Sequence, residues 1–208
     1  MKRCVIVGGA EIGDYGLIRR KLGEEDFVIF CDSGLRHMAD LGVAPDLIVG
    51  DFDSHENPNL DTETIVLPCE KDDTDTLFAV KEAVKRGFED FLLIGVAGAR
   101  LDHTLGNVYI LLYLDSIGKR GRIIDDYSEM ELVSQDAVSV GADFAYFSLL
   151  NVSGLAQGIT ITGAKYPLTD AEITCEYQYG ISNEVLPGQT AKVSVKKGKL
   201  LLIKVRKG

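Results

Sequence analysis

A chain of 208 residues is long for one domain and short for two, and its 46% hydrophobic and 26% charged side chains can build a real core. Its formal net charge of −10 argues against a nucleic-acid or anionic-membrane surface, which needs clustered Lys and Arg. An anionic small substrate is repelled as well, unless a metal ion or a local basic patch reverses the field.

The chain opens with MKRCVIVGGAEIGD, whose apolar run, CVIV, is far shorter than the roughly 7–15 residues of a signal peptide or the ~20 of a membrane helix. A cytoplasmic protein without membrane contact is expected. CVIVGG reads as a buried strand stopping at glycines, YGLIRRKLGE as a short helix and FVIFCDSG as a second strand. LRHMADLG reads as a helix ended by Gly42, DLIVGDFDS as a third strand and TIVLPC as a fourth. In TDTLFAVKEAVKRG, Leu77, Val80, Ala83 and Val84 share one helical face, and Gly87 lies just past a basic last turn. FLLIGVAG is a fifth strand, DHTLGNVYILLYLDSIG a long apolar-faced helix and GRIIDD a further strand. Strand and helix alternating at this spacing predict an α/β domain, a mainly parallel sheet flanked by helices.

After Glu129 the texture changes. ELVSQ, AVSV, FAYFSLL, GITITG, AEITCEY, AKVSV and LLLIKV are short, often alternating and β-branched, separated by Gly, Asn, Asp or Pro. They predict a small antiparallel β-sandwich or barrel, with KVSVKKGKLLLIKV as a hairpin around Lys197 and Gly198. The expected division is 1–130 and 131–208. Cys4, Cys31, Cys69 and Cys175 are scattered without a CxxC pair, which favours free core thiols in a reducing cytosol over a disulfide pair or a metal site.

In an open parallel sheet, ligands bind outside the carboxyl ends of the strands. Those ends carry Asp32, then Asp51 and Asp53, then Asp72, Asp73 and Asp75, then Asp102. Any one of these could cap a helix or make a turn. Together in one crevice they would repel, at a cost that a cation removes. Asp51 and Asp53, at i and i+2 in extended backbone, point to one side roughly 7 Å apart and could flank a hydrated Mg²⁺. A role for Thr74 or Asp75 as the cap of the helix that follows fits as well as a ligand role. The glycines of VGGAEIGD fit a strand-ending turn as well as a phosphate contact, and lack the spacing of a P-loop or dinucleotide fingerprint. Three histidines and no clustered thiols do not suit zinc. His37 reads as surface or packing, His55 as loop, and His103, beside Asp102, as a site candidate. Arg100 can meet phosphate oxygens or pair with a neighbouring Asp.

Three of these stretches, CDSGLRHMADLGVAPDLIVGDFDS, EKDDTDTLFAV and GARLDHTLGN, resemble the successive signatures of bacterial thiamine pyrophosphokinases, in that family's order and spacing. FSLLNVSGLAQGITITGAKYPLTD and YGISNE resemble its carboxy-terminal stretches, so the similarity runs from about Val5 to Val205. Asn151 departs from it, standing where a proline is expected. The resemblance implies an ATP-binding α/β domain over 1–130 and a thiamine-binding β-sandwich over 131–208. It implies a homodimer with active sites between the chains, and transfer of a pyrophosphoryl group from ATP to the thiamine hydroxyl, leaving AMP. On this basis Asp51, Asp53 and Asp72 would be the Mg²⁺ and phosphate-organising carboxylates, with Asp32 in support. Ser33, Gly34, Thr74, Asp75 and Arg100 would be ATP-side contacts. Asp102 would lie close to the reacting hydroxyl, as orienting group or proton acceptor, and Ser182 and Asn183 would meet thiamine. Thiamine is a cation, so an acidic pocket suits the acceptor as Mg²⁺ suits the nucleotide. Two rival readings stand beside this one: another metal-dependent phosphoryl or nucleotidyl transferase with a different acceptor, and a non-catalytic nucleotide or thiamine sensor.

Overall fold

The computed structural model describes residues 2–52, 60–70 and 72–207. The chain divides into two units, Met1–Asp126 and Tyr127–Gly208.

In the first unit the apolar runs become parallel strands: β1 (Cys4–Val7), β2 (Phe27–Cys31), β3 (Leu47–Gly50), β4 (Thr64–Val66), β5 (Asp90–Ile94) and β6 (Arg120–Ile124). Their spatial order is β4-β3-β2-β1-β5-β6, parallel throughout. β1 and β3 are buried along their whole length, as expected of strands covered on both faces, which need continuous rather than alternating apolar sequence. One face places Val5, Val7, Val28, Phe30, Ile48, Leu92 and Ile94 against Ile18, Leu35 and Leu41 of the preceding helical segments. On this unit's sheet α3 (Asp75–Lys85) packs on β1, β2 and β3, and α4 (Leu101–Ser116) packs on β6. The chain steps outward from β1 to β4 and then returns to place β5 on the other side of β1. The strand order therefore reverses between β1 and β5, where ligand crevices open in such sheets.

The helices begin and end as their capping residues dictate. Asp14 caps α1 (Tyr15–Arg19) by accepting from the Leu17 N–H at 2.8 Å. Gly42, at φ +67°, ends α2 (Met38–Leu41) in the left-handed conformation that glycine allows. The helix expected over LRHMADLG is only partly α: Asp32–His37 is a 3₁₀ segment and only Met38–Leu41 is α-helical. The tighter segment begins directly after β2, and Gly34 sits in it against the Val7 carbonyl, where a Cβ would collide. Among the described residues, no helix is long and apolar enough to cross a membrane.

The second unit is a sandwich of two antiparallel sheets. β7 (Ser128–Val133), β13 (Leu200–Arg206) and β9 (Phe144–Asn151) form one, with β13 central. β11 (Leu168–Thr174), β10 (Leu155–Thr162), β12 (Ala191–Ser194) and β8 (Val138–Val140) form the other, in that order. Val133, Phe147, Leu149, Leu200 and Leu202 of the first sheet share one core with Ile159, Ile161, Ile173 and Val193 of the second. Lys204 is buried opposite Glu129 and donates to Glu131 at 2.7 Å, an ion pair that a register slip would break.

The hairpin expected around Lys197 and Gly198 does not form. β12 pairs with β10 and β8, whereas β13 pairs with β7 and β9, so this turn carries the chain from one sheet to the other. Gly198, at φ +92°, lies so close to β10 that a Cβ would come within 2.5 Å of the Leu155 carbonyl oxygen. The turn packs against the start of β10 instead of closing a ladder between β12 and β13.

Candidate active site

The acidic strand ends meet. Asp32 follows β2, is 7% exposed and has φ +36°; Asp51 follows β3; Asp75 is the first residue of α3. One carboxylate oxygen from each of the three lies within 4.8 Å of the others. Neighbouring parallel strands bring their ends about 4.8 Å apart, so residues just past β2 and β3 are natural neighbours. Gly50 lets them approach: a Cβ there would sit 3.1 Å from both Cα and Cβ of Asp32. Phe52, at φ +56°, turns the chain sharply just beyond Asp51. Asp75 reaches the group because α3 lies across β1, β2 and β3, with its carbonyl accepting from the Cys31 thiol at 3.8 Å.

Oδ1 of Asp32 and Oδ1 of Asp75 are shut off from solvent. Carboxylates this close, in a partly dehydrated setting, repel one another unless a cation lies between them. The donor set is all oxygen, which suits a hard ion such as Mg²⁺. Octahedral Mg²⁺ ligands at 2.0–2.1 Å stand roughly 2.9–4.1 Å apart, so these oxygens need close only slightly to fit it.

The other strand-end residues have different surroundings. Asp72 is exposed in the turn before α3 and is not one of the three clustered carboxylates. Asp73 pairs with Lys81 at 2.7 Å. The Thr74 hydroxyl caps α3, accepting from the Leu77 N–H at 3.2 Å. Asp53 and His55 lie outside the described residues. Cys31, behind the cluster, is wholly buried, and burial with Asp75 close by pushes its thiol well up. Cys4, also buried, is pushed up to about 12 by burial, so both are inert core thiols, while Cys69 and Cys175 are exposed and free.

The glycines after β1 have a packing reason. A Cβ on Gly9 would strike the Ser33 side chain, and one on Gly95, at φ +62°, would come 2.5 Å from the Gly8 carbonyl oxygen. The ends of β1, β2 and β5 thus lie backbone against backbone, with Ala10 N–H donating to Gly95 at 2.8 Å. His37 secures this turn from below and is only 2% exposed, a core residue rather than a surface one. The Ala10 carbonyl can only accept, so the ring proton sits on Nε2, which donates to it at 2.9 Å. Nδ1 then accepts from the Tyr15 hydroxyl at 2.8 Å. Burial lowers the pKa of His37, against the opposing hydrogen bond to Ala10.

Arg100 and Asp102 flank the start of α4 and form a two-pronged pair, Nε to Oδ1 at 3.0 Å and Nη2 to Oδ2 at 2.7 Å. The guanidinium holds the Asp102 carboxyl well below the usual carboxylate range, and Asp102 in turn raises Arg100. His103 is exposed beside them.

In the second unit, Asn183 is buried and its amide is spent on its own chain. Nδ2 donates to the Tyr166 carbonyl at 2.8 Å, while Oδ1 accepts from the N–H groups of Tyr166 at 3.0 Å and Glu184 at 2.9 Å. It therefore holds the backbone of Tyr166, whose ring is exposed. Ser182, at φ +56°, is exposed next to it, and its N–H donates to the Ser148 hydroxyl at 3.0 Å. Asn151 closes the turn between β9 and β10: its Nδ2 donates to the carbonyls of Gly154 at 2.9 Å and Ile173 at 2.7 Å, a donor that proline would lack. The anchoring roles of His37 and Asn183 have no signal in the sequence, where each stands beside other polar residues, Arg36 before His37 and Ser182 and Glu184 around Asn183.

Comparison with known proteins agrees with this arrangement over both units. Residues 18–122 match the family model described as thiamin pyrophosphokinase, catalytic domain, and residues 135–200 match thiamin pyrophosphokinase, vitamin B1 binding domain. A thiamine pyrophosphokinase of Bacillus subtilis (strain 168) is 30% identical over 215 residues, covering 98% of this chain and 99% of that protein. The crystal structure of thiamine pyrophosphokinase from Bacillus subtilis superposes with a TM-score of 0.86 at 26% identity, covering 100% of both chains. That of thiamin pyrophosphokinase from Geobacillus thermodenitrificans gives 0.85 at 29% identity, covering 99% of this chain and 98% of the other. The likeness is end to end, in sequence and in fold alike, and the chain belongs to the thiamine pyrophosphokinase family of enzymes.

Proposed function

We propose that the chain transfers the pyrophosphoryl group of ATP to the hydroxyethyl oxygen of thiamine, giving thiamine diphosphate and AMP, with Mg²⁺ held by Asp32, Asp51 and Asp75. The observation that carries the metal assignment is the gathering of three carboxylate oxygens within 4.8 Å at the carboxyl ends of the strands. When bound, Mg²⁺ neutralises the triphosphate and the charge that develops on it during transfer. Asp53 and Asp72, on the segments that flank these ligands in sequence, complete the metal and phosphate shell in this reading. Ser33, Gly34 and Thr74 line the nucleotide side, and Arg100 meets phosphate oxygens with its planar fork.

Attack falls on the β-phosphorus, so the thiamine hydroxyl must stand about 3–3.5 Å from it, and positioning dominates the rate. Asp102 orients that hydroxyl and accepts its proton late in the transfer. Ser182 contacts thiamine, while Asn183 acts by holding the Tyr166 and Glu184 backbone. The acidic site attracts the cationic acceptor. A homodimer with its active sites between chains, and a cytoplasmic location where ATP is at hand, belong to the same reading.

The test is one incubation of protein, ATP, Mg²⁺ and thiamine with the products separated by chromatography. AMP and thiamine diphosphate are expected in equal amounts and disappear with EDTA. ADP with thiamine monophosphate would refute pyrophosphoryl transfer, and EDTA-resistant turnover would refute the metal site. Light scattering should give twice the chain mass, and a monomer that turns over at full rate would remove the shared site.

A further inference from the structure

Arg100 and Asp102 are bound to each other, yet their chemistries suit different substrates. A guanidinium has use for a polyanion and none for a cationic alcohol, while a carboxylate has the reverse preference. We propose that the pair is an exchange device: a triphosphate draws Arg100 away from Asp102, and the carboxylate so released receives the acceptor, so that nucleotide binding prepares the thiamine site. The proposal rests on the assignment of Arg100 to the nucleotide and Asp102 to the acceptor made above.

The geometry supports the exchange in three ways. The pair is two-pronged, and the same planar fork fits two phosphate oxygens as well as two carboxylate oxygens. Both side chains are open to solvent, at 70% and 65% exposure, so the pair is screened and easily opened. Arg100 is the N-cap residue of a 16-residue helix and makes no side-chain cap hydrogen bond, and Asp102 lies in the first turn, so both backbones are held while the side chains rotate. Asp102 stays ionised after release, because the helix N-terminus favours a carboxylate there. While paired, it is a weak proton acceptor, since Arg100 holds its carboxyl far down. Release removes the largest of the influences that hold it down, so its basicity rises when the acceptor arrives.

Binding of α,β-methylene-ATP with Mg²⁺, and of thiamine, measured by calorimetry in a double-mutant cycle, tests the exchange. Asp102→Asn should tighten the nucleotide analogue about three- to five-fold, the most that release of an exposed pair can supply, because Arg100 is then free from the start. In an Arg100→Gln background the same substitution should change its affinity by no more than about two-fold. The analogue should also tighten thiamine in the wild type and fail to do so in Arg100→Gln. Tightening by Asp102→Asn of equal size in both backgrounds would mean general charge relief and would overturn the exchange, as would no tightening at all. AMP formation by the wild type keeps the two ideas apart. If the wild type makes AMP with thiamine but the cycle shows no coupling, only the exchange is lost; if it makes none, the assignments beneath it are lost too.

Discussion

Replacing Gly50 by alanine perturbs the contact that lets Asp32 and Asp51 share one site. The added Cβ would lie 3.1 Å from the Asp32 Cα and Cβ and 3.3 Å from its N, against ordinary carbon contacts of about 3.5–4.0 Å. The obstruction is backbone, which cannot swing aside as a side-chain tip would, and Asp32 is already at φ +36°. The shortfall, roughly half an ångström, must therefore be taken up by moving the end of β2 away from β3. Overpacking of this kind costs about 1–3 kcal/mol. A displaced ligand carboxylate should cost more in function, since a misplacement near 1 Å can lower a rate by about 10²-fold. The assay is activity as a function of Mg²⁺ concentration, with thermal unfolding measured in parallel. Gly42→Ala is the control, because Gly42 is at φ +67° with open space around it. An alanine there costs about 1–2 kcal/mol of backbone strain without touching the acidic cluster. Both variants should melt earlier, but only Gly50→Ala should need more Mg²⁺. A normal Mg²⁺ titration for Gly50→Ala, or an equal shift in Gly42→Ala, would refute the argument.

Three other perturbations separate cation binding, core protonation and loop anchoring. Asp32→Asn should melt higher than the wild type without metal, by relief of like charge, and should lose the stabilisation that Mg²⁺ gives the wild type, about 2.7 kcal/mol at a hundred times its Kd; a metal-free wild type as stable as the variant would count against the cluster being a cation site. His37 is kept neutral by burial, so its folded pKa lies below 6.5; its contribution is full above pH 6.5 and is lost as pH falls through the folded value. His37→Gln should lack that slope in a melting-temperature series between pH 8 and about pH 5, where His titrates; an identical slope in the variant would place the titration elsewhere. Asn183→Ala strands the buried polar partners of its amide, at about 1–3 kcal/mol, and should raise KM for thiamine while leaving KM for ATP alone. Equal effects on both substrates would mean that the residue serves only the fold.

Features that depend on neighbours along the chain are legible in the residues alone. Unbroken apolar runs as short as CVIV and FVIFC, rich in β-branched residues, read as strands covered on both faces, and their alternation with helices makes them parallel. Thr74 before an amphipathic turn starts α3, and Gly42 ends α2, because these are single-residue backbone effects. Parallel strands also end at one edge, so aspartates following β2 and β3 had to lie on that edge. Which of them touch depends on packing between distant segments. Asp75 joins Asp32 and Asp51 while Asp72, three residues earlier, stays exposed, because the seat of α3 on β1, β2 and β3 sets where its first turn falls. The same holds for the turn at Lys197 and Gly198. Its local sequence fits a hairpin, but the β12 ladder is already taken by β10 and β8, and β13 finds β7 and β9 instead. His37 and Asn183 are ordinary polar residues until a distant carbonyl or N–H comes within hydrogen-bond reach. Local propensity and periodicity act over a few residues, whereas ligand geometry, strand partners and buried hydrogen bonds are set by groups far apart in the chain, and only packing brings those together.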